Sequence, residues 1–128
     1  MSGGGILGIG CDIIEIERIA KAIKNPRFLE ICYSKAEIML YENRGKSAAI
    51  LAGNFAAKEA VAKAFGTGFR GFFPREIEIL RNELGAPYVI ISENIRGILK
   101  FAYVDVKISI SNTKETAMAF CVVNSRIE

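Results

Sequence analysis

One stretch of twenty residues, 46–65, restricts what this chain can fold into more than any other. Its apolar residues lie almost all round a helix rather than along one side. They are Ala48, Ala49, Ile50, Leu51, Ala52, Phe55, Ala56, Ala57, Ala60, Val61, Ala62, Ala64 and Phe65. A helix of this length is about 30 Å long and belongs in the middle of the fold. Its few charged residues, Lys58, Glu59 and Lys63, therefore need partners or a purpose.

The residues before this helix predict one strand and two helices. The apolar run 6–11, interrupted by two glycines, predicts a strand with Asp12 at its end. Apolar residues at helical spacing from Ile16 predict a helix that ends at Asn25-Pro26. A capping-box pattern that starts at Ser34 predicts a second helix, closed by Gly45.

The residues after it predict mostly strands. Alternation over 76–80, the turn signal at 85–87 and the apolar run 88–91 predict a hairpin, and Ser92 can cap a short helix. Alternation from Val104 to Ile110, a turn at 112–113 and the run 116–123 predict a second hairpin. Helices that come early and antiparallel hairpins that come late predict an α+β fold, organised as a single domain over 1–128 with residues 1–5 as a flexible leader.

Composition excludes several classes of function. The chain has no histidine, which removes Ser-His-Asp and Cys-His catalysis and histidine-ligated zinc. The net charge of +3 without a concentrated basic stripe argues against nucleic-acid binding. No apolar run approaches the roughly 18 residues of a membrane span. Three scattered cysteines predict buried, reduced thiols in a cytoplasmic protein.

Apolar residues make up 51% of the chain and the mean hydropathy is +0.26. Both values are high for a small monomer. They predict an oligomer that hides part of this apolar surface.

Two elements supply candidate residues for chemistry. Asp12, between a strand and a helix, is either an N-cap or a carboxylate presented in a cleft, and local sequence favours the cap. Glu59 and Lys63, spaced i, i+4, are either a surface ion pair or part of a site inside an apolar helix. If Asp12 lies beside Glu59, two carboxylates face a lysine. That donor set suits Mg²⁺ and a phosphate.

Three further patterns carry weaker signals. The segment Gly66-Thr67-Gly68 is either an ordinary helix C-cap or bare backbone that approaches a phosphate. The hydroxyl residues Ser109, Ser111 and Thr113 usually just face water. The basic row Arg18, Lys21, Lys24 and Arg27 is either a solvated helix face or a dock for an acidic protein.

Two long motifs resemble those of holo-acyl-carrier-protein synthases. Residues 8–19 read GIGCDIIEIERI, and residues 55–68 read FAAKEAVAKAFGTG. The segments 77–79, 85–87 and 109–111 also follow in the order of that family. The resemblance extends from about Gly8 to Val123. It implies the 4′-phosphopantetheinyl transferase fold, in which a long central helix packs on an antiparallel sheet and the chains form trimers.

The resemblance also implies an activity: Mg²⁺-dependent transfer of phosphopantetheine from coenzyme A to a serine of apo acyl carrier protein, with release of adenosine 3′,5′-bisphosphate. The metal ligands fall on Asp12 and Glu59, and the catalytic residues are these two and Lys63. Coenzyme A is implied to lie between subunits, on Phe55, Lys63, Gly66, Thr67, Gly68, Pro87, Ser109, Asn112 and Thr113. The carrier protein is implied to dock on Arg18, Lys24 and Arg27.

Two positions depart from the family pattern. Asn54 stands where the family usually has arginine, and Asn112 stands where it usually has histidine. The resemblance places both positions near the coenzyme A phosphates. The departures leave a second hypothesis open, a non-catalytic module that binds a carrier protein or a nucleotide. With no histidine available, Glu59, acting directly or through a metal-bound water, is the first choice for the group that accepts the serine proton.

Overall fold

A computed structural model describes residues 5–99 and 104–125. The predicted leader therefore lies, except for Gly5, outside the described residues. The elements in chain order are β1 (Ile6–Glu15), α1 (Ile16–Ala22), α2 (Pro26–Cys32), α3 (Lys35–Asn43), α4 (Ala48–Phe65), a 3₁₀ turn (Pro74–Glu76), β2 (Ile77–Arg81), β3 (Pro87–Ile91), α5 (Glu93–Ile98), β4 (Val104–Asn112) and β5 (Thr116–Ser125). This mixture of helices and antiparallel strands confirms the predicted α+β class.

The main sheet has three antiparallel strands in the order β1-β5-β4, so the first strand of the chain pairs with the last. Alternate residues of β5 point to one side and are buried: Ala117, Ala119, Cys121 and Val123. Helix α4 packs across that side. Strands β2 and β3 form a separate two-stranded hairpin.

The predicted central helix is confirmed. Helix α4 has eighteen residues, and eleven of them are buried. Gly66 ends it in the left-handed conformation, with φ of 78°, which glycine adopts without steric cost. None of the helices among the residues described is long and apolar enough to span a membrane.

The start of the chain differs from the sequence prediction in two ways. Strand β1 does not end at Cys11 but continues to Glu15, because Asp12–Glu15 pair with Thr116–Ala119 of β5. Local sequence could not show this distant partner. The first helix ends at Ala22, and an unpredicted helix, α2, follows it. Asn25 caps α2 by accepting a hydrogen bond from the Arg27 amide, and Pro26 occupies its first turn.

Candidate active site

The site is built on a contact between the backbones of β1 and α4. Gly8 and Gly10 lie so close to the helix that an added Cβ would be 1.9 Å from the Ala64 carbonyl oxygen and 2.0 Å from that of Ala60. Only glycine permits this approach. Since Asp12 follows on the same side of β1, the contact carries its carboxylate to the surface of α4.

Three side chains meet there. The Lys63 ammonium donates to the Asp12 carboxylate at 3.2 Å and to the Cys11 carbonyl oxygen at 2.9 Å. The Asp12 side chain is 19% exposed and that of Lys63 is 54% exposed, so the ion pair faces solvent. Glu59, half-buried, lies one helical turn before Lys63. Asp12 is a strand residue here, so the N-cap hypothesis is wrong; Glu15 occupies the cap of α1.

The carboxylates of Glu59 and Asp12 lie close enough to interact electrostatically. Burial raises the pKa of Glu59, and the negative charge of Asp12 raises it further, while Lys63 opposes the shift. The one ammonium of this cluster is bonded to Asp12 and not to Glu59, so the negative charge of Glu59 is only partly offset. A cation placed there would relieve their repulsion.

Oxygen donors of this kind suit Mg²⁺, which takes one or two protein carboxylates and fills its other positions with substrate oxygens and water. Among the residues that the structure describes, no group of three or more His, Cys, Asp or Glu side chains could hold a metal ion. Asp12 and Glu59 bring two carboxylates to this cluster.

The glycine segment after α4 leaves its backbone open. Gly66 and Gly68 both adopt positive φ, of 78° and 59°, and no heavy atom lies within 4 Å of a Cβ added at either. The Thr67 hydroxyl donates to the Gly68 carbonyl oxygen.

Phe55, predicted to contact coenzyme A, stacks on Phe28 with ring centroids 6.0 Å apart.

The other predicted coenzyme A residues do not join this cluster within one chain. Pro87 and Asn112 line a different cavity, near the first turn of α4. Ser109 is exposed on β4 and pairs with Phe120, on the side of the sheet that faces away from α4. Thr113 lies in the turn before β5, where its hydroxyl accepts from the Thr116 amide.

A buried ion pair was missed by sequence reasoning. Lys58 is fully buried and donates to Glu37 at 2.7 Å, to the Pro74 carbonyl at 3.0 Å and to the Ile77 carbonyl at 2.5 Å. Burial raises the pKa of Glu37 and lowers that of Lys58, while their mutual attraction opposes both shifts. The pair ties α3 and the 3₁₀ turn to α4. The sequence signal was a lysine in an apolar helix, which needed a partner.

Asn54 belongs to the same interior network. It is fully buried, and its amide donates to Glu37 at 2.9 Å and to the Ile79 carbonyl at 3.0 Å. Its own Oδ1 has no hydrogen-bond partner. A buried side chain cannot contact a ligand at the surface. Asn54 therefore does not face a surface where a coenzyme A phosphate could bind, contrary to what the resemblance implied for this position.

The basic row is exposed but spans two helices rather than one. Arg18 and Lys21 lie on α1, Lys24 in the following turn and Arg27 on α2. None of the four takes part in an ion pair that the described residues form. The row therefore presents free positive charge to solvent.

Comparisons with protein families, protein sequences and solved structures all indicate the same family. The 4′-phosphopantetheinyl transferase superfamily matches residues 8–121. A holo-[acyl-carrier-protein] synthase of Clostridium beijerinckii is 47% identical over 121 residues, which cover 94% of this chain and 98% of that protein. A synthase of Fusobacterium nucleatum is 44% identical, covering 92% and 98%. The crystal structure of a Bacillus anthracis synthase in complex with CoA (3′,5′-ADP) superimposes with a TM-score of 0.80 at 35% identity, covering 94% and 98%.

Proposed function

Since the chain belongs to the 4′-phosphopantetheinyl transferase superfamily, we propose that it transfers phosphopantetheine from coenzyme A to a serine of apo acyl carrier protein. The enzyme class follows from the family and from relatives at about 45% identity. The proposal adds three finer points: dependence on Mg²⁺, release of adenosine 3′,5′-bisphosphate, and a role in lipid synthesis in the cytoplasm.

One observation carries the proposal: Asp12, Glu59 and Lys63 meet beside an open glycine segment. The reaction moves a phosphoryl group between oxygens, so it needs negative charge to be offset and the reacting groups to be held in line. Lys63 supplies a positive charge for a phosphate oxygen. The open backbone at 66–68 lets a diphosphate approach without a side chain in the way.

The residues of this cluster have different proposed roles. Asp12 and Glu59 would hold Mg²⁺, which when bound offsets the charge of the diphosphate and of the leaving group. Lys63, hydrogen-bonded to Asp12 and to the Cys11 carbonyl, is held in position before substrate arrives. Such preorganisation lowers the barrier because no rearrangement is needed during the reaction.

The attacking serine must lose a proton, and the chain has no histidine to accept it. Glu59 is the proposed acceptor because it is the half-buried carboxylate on the helix surface of this cluster. The proton passes from the serine hydroxyl to the Glu59 carboxylate as the serine oxygen bonds to the β-phosphorus of coenzyme A. The bond from that phosphorus to the bridging oxygen breaks, and adenosine 3′,5′-bisphosphate leaves.

The proposed assembly is a homotrimer with sites between subunits, and one face of the sheet supports association. Residues of β1 and β5 that point away from α4 form an exposed apolar face. Its members are Ile9, Cys11, Ile13, Met118, Phe120 and Val122. Ile9 is 61% exposed and Ile13 is 68% exposed. An apolar face of this kind on a small chain marks a contact between proteins.

The carrier protein is proposed to bind at Arg18, Lys24 and Arg27. Their free positive charges complement an acidic partner and would speed its association. These residues lie on α1 and α2, and α1 follows directly from the strand that holds Asp12. A carrier docked there therefore lies on the same end of the molecule as the end of β1.

The test is mass spectrometry of an apo carrier protein after incubation with the enzyme, coenzyme A and MgCl₂. Attachment of phosphopantetheine to serine adds about 340 Da, since the group is carried as a covalent ester. A carrier whose serine is replaced by alanine must show no gain, and excess EDTA must stop the reaction. An unchanged mass for the apo carrier, with enzyme that is folded by circular dichroism, would refute the proposed activity.

A further inference from the structure

A cavity of about 460 Å³ lies between α2, the start of α3 and the 3₁₀ turn. Small-molecule sites commonly enclose roughly 300–1,000 Å³, so a ligand fits a cavity of this volume. None of the lining residues belongs to the Asp12 cluster, to the glycine segment 66–68 or to the exposed apolar face of the sheet. The cavity is therefore separate from the residues assigned to the transfer reaction and to assembly.

The body of this cavity is apolar. Its carbon surface comes from α2, from α3 and from the residue that follows α2: Pro26, Leu29, Tyr33 and Ile38. Tyr33 is buried and forms the floor, where its hydroxyl donates to the Leu51 carbonyl oxygen at 2.8 Å. Because that hydroxyl is already bonded, Tyr33 presents a ring rather than a hydrogen-bonding group. An alkyl chain in this cavity would leave water without burying a polar group of its own.

Three charged residues complete the lining: Glu30, Lys35 and Arg75. All three are exposed, and none takes part in an ion pair that the described residues form. Two positive charges and one negative charge give the lining an excess of one positive charge. A lining of this sign favours a ligand that carries a single negative charge.

Arg75 is the best placed of these residues to bind an anion. Its Nη1 donates to the Glu30 carbonyl oxygen at 3.2 Å, and its guanidinium carbon lies 4.7 Å from the centroid of the Phe73 ring. The two contacts hold the guanidinium in place and use only one of its five N–H donors. The adjacent carboxylate, Glu76, already accepts from one backbone amide and two side chains. Arg75 therefore keeps the donors that a carboxylate needs for two parallel hydrogen bonds.

We propose that this cavity binds a medium-chain fatty acid, with the carboxylate on Arg75 and the alkyl chain against Leu29 and Ile38. Lys35 adds a second positive charge at the rim. A neutral alcohol of the same length lacks the charge that Arg75 recognises, and a short carboxylate lacks the apolar body that fills the cavity. The inference does not rest on the proposed function, since binding is measured without any transfer.

The test uses decanoate as the probe and methyl NMR of the full chain, labelled at its isoleucine and leucine methyl groups. We expect the signals of Leu29 and Ile38 to shift saturably as decanoate is added. The signal of Ile13, on the exposed apolar face of the sheet, should not shift. Decanol should bind about 10- to 100-fold more weakly, the range for loss of a hydrogen bond to a charged group. Hexanoate, which has four methylenes fewer, should bind at least about tenfold more weakly, since each buried methylene contributes up to about fourfold.

Variants of the charged residues separate the contribution of the carboxylate from that of the chain. Arg75→Gln should weaken decanoate binding by about 10- to 100-fold and leave decanol binding unchanged. Glu30→Gln removes the one negative charge of the lining and should tighten decanoate binding by about two- to fivefold. Arg96→Gln is the matched control, because Arg96 is exposed on α5 and does not line the cavity. All three side chains are exposed, so each variant should fold normally.

Several results would overturn the inference. If Leu29 and Ile38 show no saturable shift, or if Ile13 shifts in their place, decanoate does not bind in this cavity. If Arg75→Gln and Arg96→Gln bind decanoate equally well, Arg75 does not hold the carboxylate. If apo carrier protein shifts Leu29 and Ile38 while decanoate does not, the cavity is a contact for the carrier and the fatty-acid site is wrong. None of these results bears on whether the chain transfers phosphopantetheine.

Discussion

Gly10 of β1 faces Ala60 of α4 so closely that a Cβ at Gly10 would lie 2.0 Å from the Ala60 carbonyl oxygen, although fifty residues separate the two. Two residues further along β1, Asp12 pairs with Lys63 on the same helix. The absence of a side chain at one position thus sets the place of a charged side chain at another.

Gly10→Ala should therefore damage both stability and activity. We expect a loss of about 1–3 kcal/mol in the free energy of unfolding, because the strand must move away from the helix to fit the methyl group. Transferase activity should fall by more than that loss of folded protein explains, since Asp12 moves with the strand. Gly97→Ala is the matched control: a Cβ there meets no atom within 4 Å, and alanine in a helix adds about 0.5–1 kcal/mol. Urea titrations and initial rates measure both effects.

Replacing either site carboxylate, Asp12 or Glu59, should also reduce activity, but it should not reduce stability. Glu59→Gln removes a carboxylate whose pKa is raised by burial and by the charge of Asp12, so the midpoint of thermal unfolding should stay equal or rise. The transfer rate should fall by at least about 100-fold for Glu59→Gln and for Asp12→Asn, because each removes a proposed cation ligand. Asp105→Asn, which alters an exposed ion pair on β4, should leave the rate unchanged. Near-normal transfer by either site variant would refute the assignment.

The buried ion pair should show strong coupling between its members. Lys58→Met leaves the Glu37 carboxylate buried without its cation, which costs about 3–5 kcal/mol. Adding Glu37→Gln removes that unpaired charge and should restore at least half of the loss. Urea unfolding of both single variants and of the double variant measures the coupling. Losses that simply add would mean that the two side chains do not depend on each other.

The apolar sheet face can be tested by placing a charge on it. Phe120→Asp should convert the proposed trimer to monomers and abolish transfer, since the proposed site draws on two copies. Leu84→Asp is the control, because Leu84 is 94% exposed at the tip of the β2–β3 hairpin, away from that face. Light scattering coupled to size-exclusion chromatography gives the mass. A wild-type monomer would refute the assembly.

Thiol labelling at pH 8 should report on the same face. Burial raises the pKa of Cys32 to about 11 and that of Cys121 to about 12, so both remain protonated and shielded. Cys11 is exposed on the proposed contact face. In monomeric Phe120→Asp, one thiol should react at once and two only after unfolding, while in the wild type Cys11 should also be protected. Equally fast labelling of Cys11 in both proteins would contradict burial of that face.

Patterns within a single element could be predicted from the sequence. The all-round apolar character of 46–65 indicated the central helix, which begins at Ala48, and the run 116–123 after a turn indicated the last strand. The capping box at Ser34 is present as predicted, with the Ser34 hydroxyl and the Glu37 carboxylate exchanging hydrogen bonds with backbone amides.

Features that depend on distant partners could not be predicted in the same way. Asp12 looked like a helix cap because its strand neighbour in β5 lies about a hundred residues away. Glu37 looked like a capping residue alone, although one carboxylate oxygen also pairs with Lys58. Asn54 looked like a substituted phosphate ligand, although its side chain points into the interior. Local spacing carries no information on which remote group meets a side chain.

The pairing of β1 with β5 has a consequence for how the protein is made. As the ribosome extends the chain, β1 emerges about a hundred residues before β5, the strand that it pairs with in the sheet. The helices can form early from nearby residues, whereas the main sheet closes only after β5 has been made. An interrupted chain would hold Asp12 on an unpaired strand. The strand that carries Asp12 to Lys63 is thus fixed in the sheet only after β5 has been made.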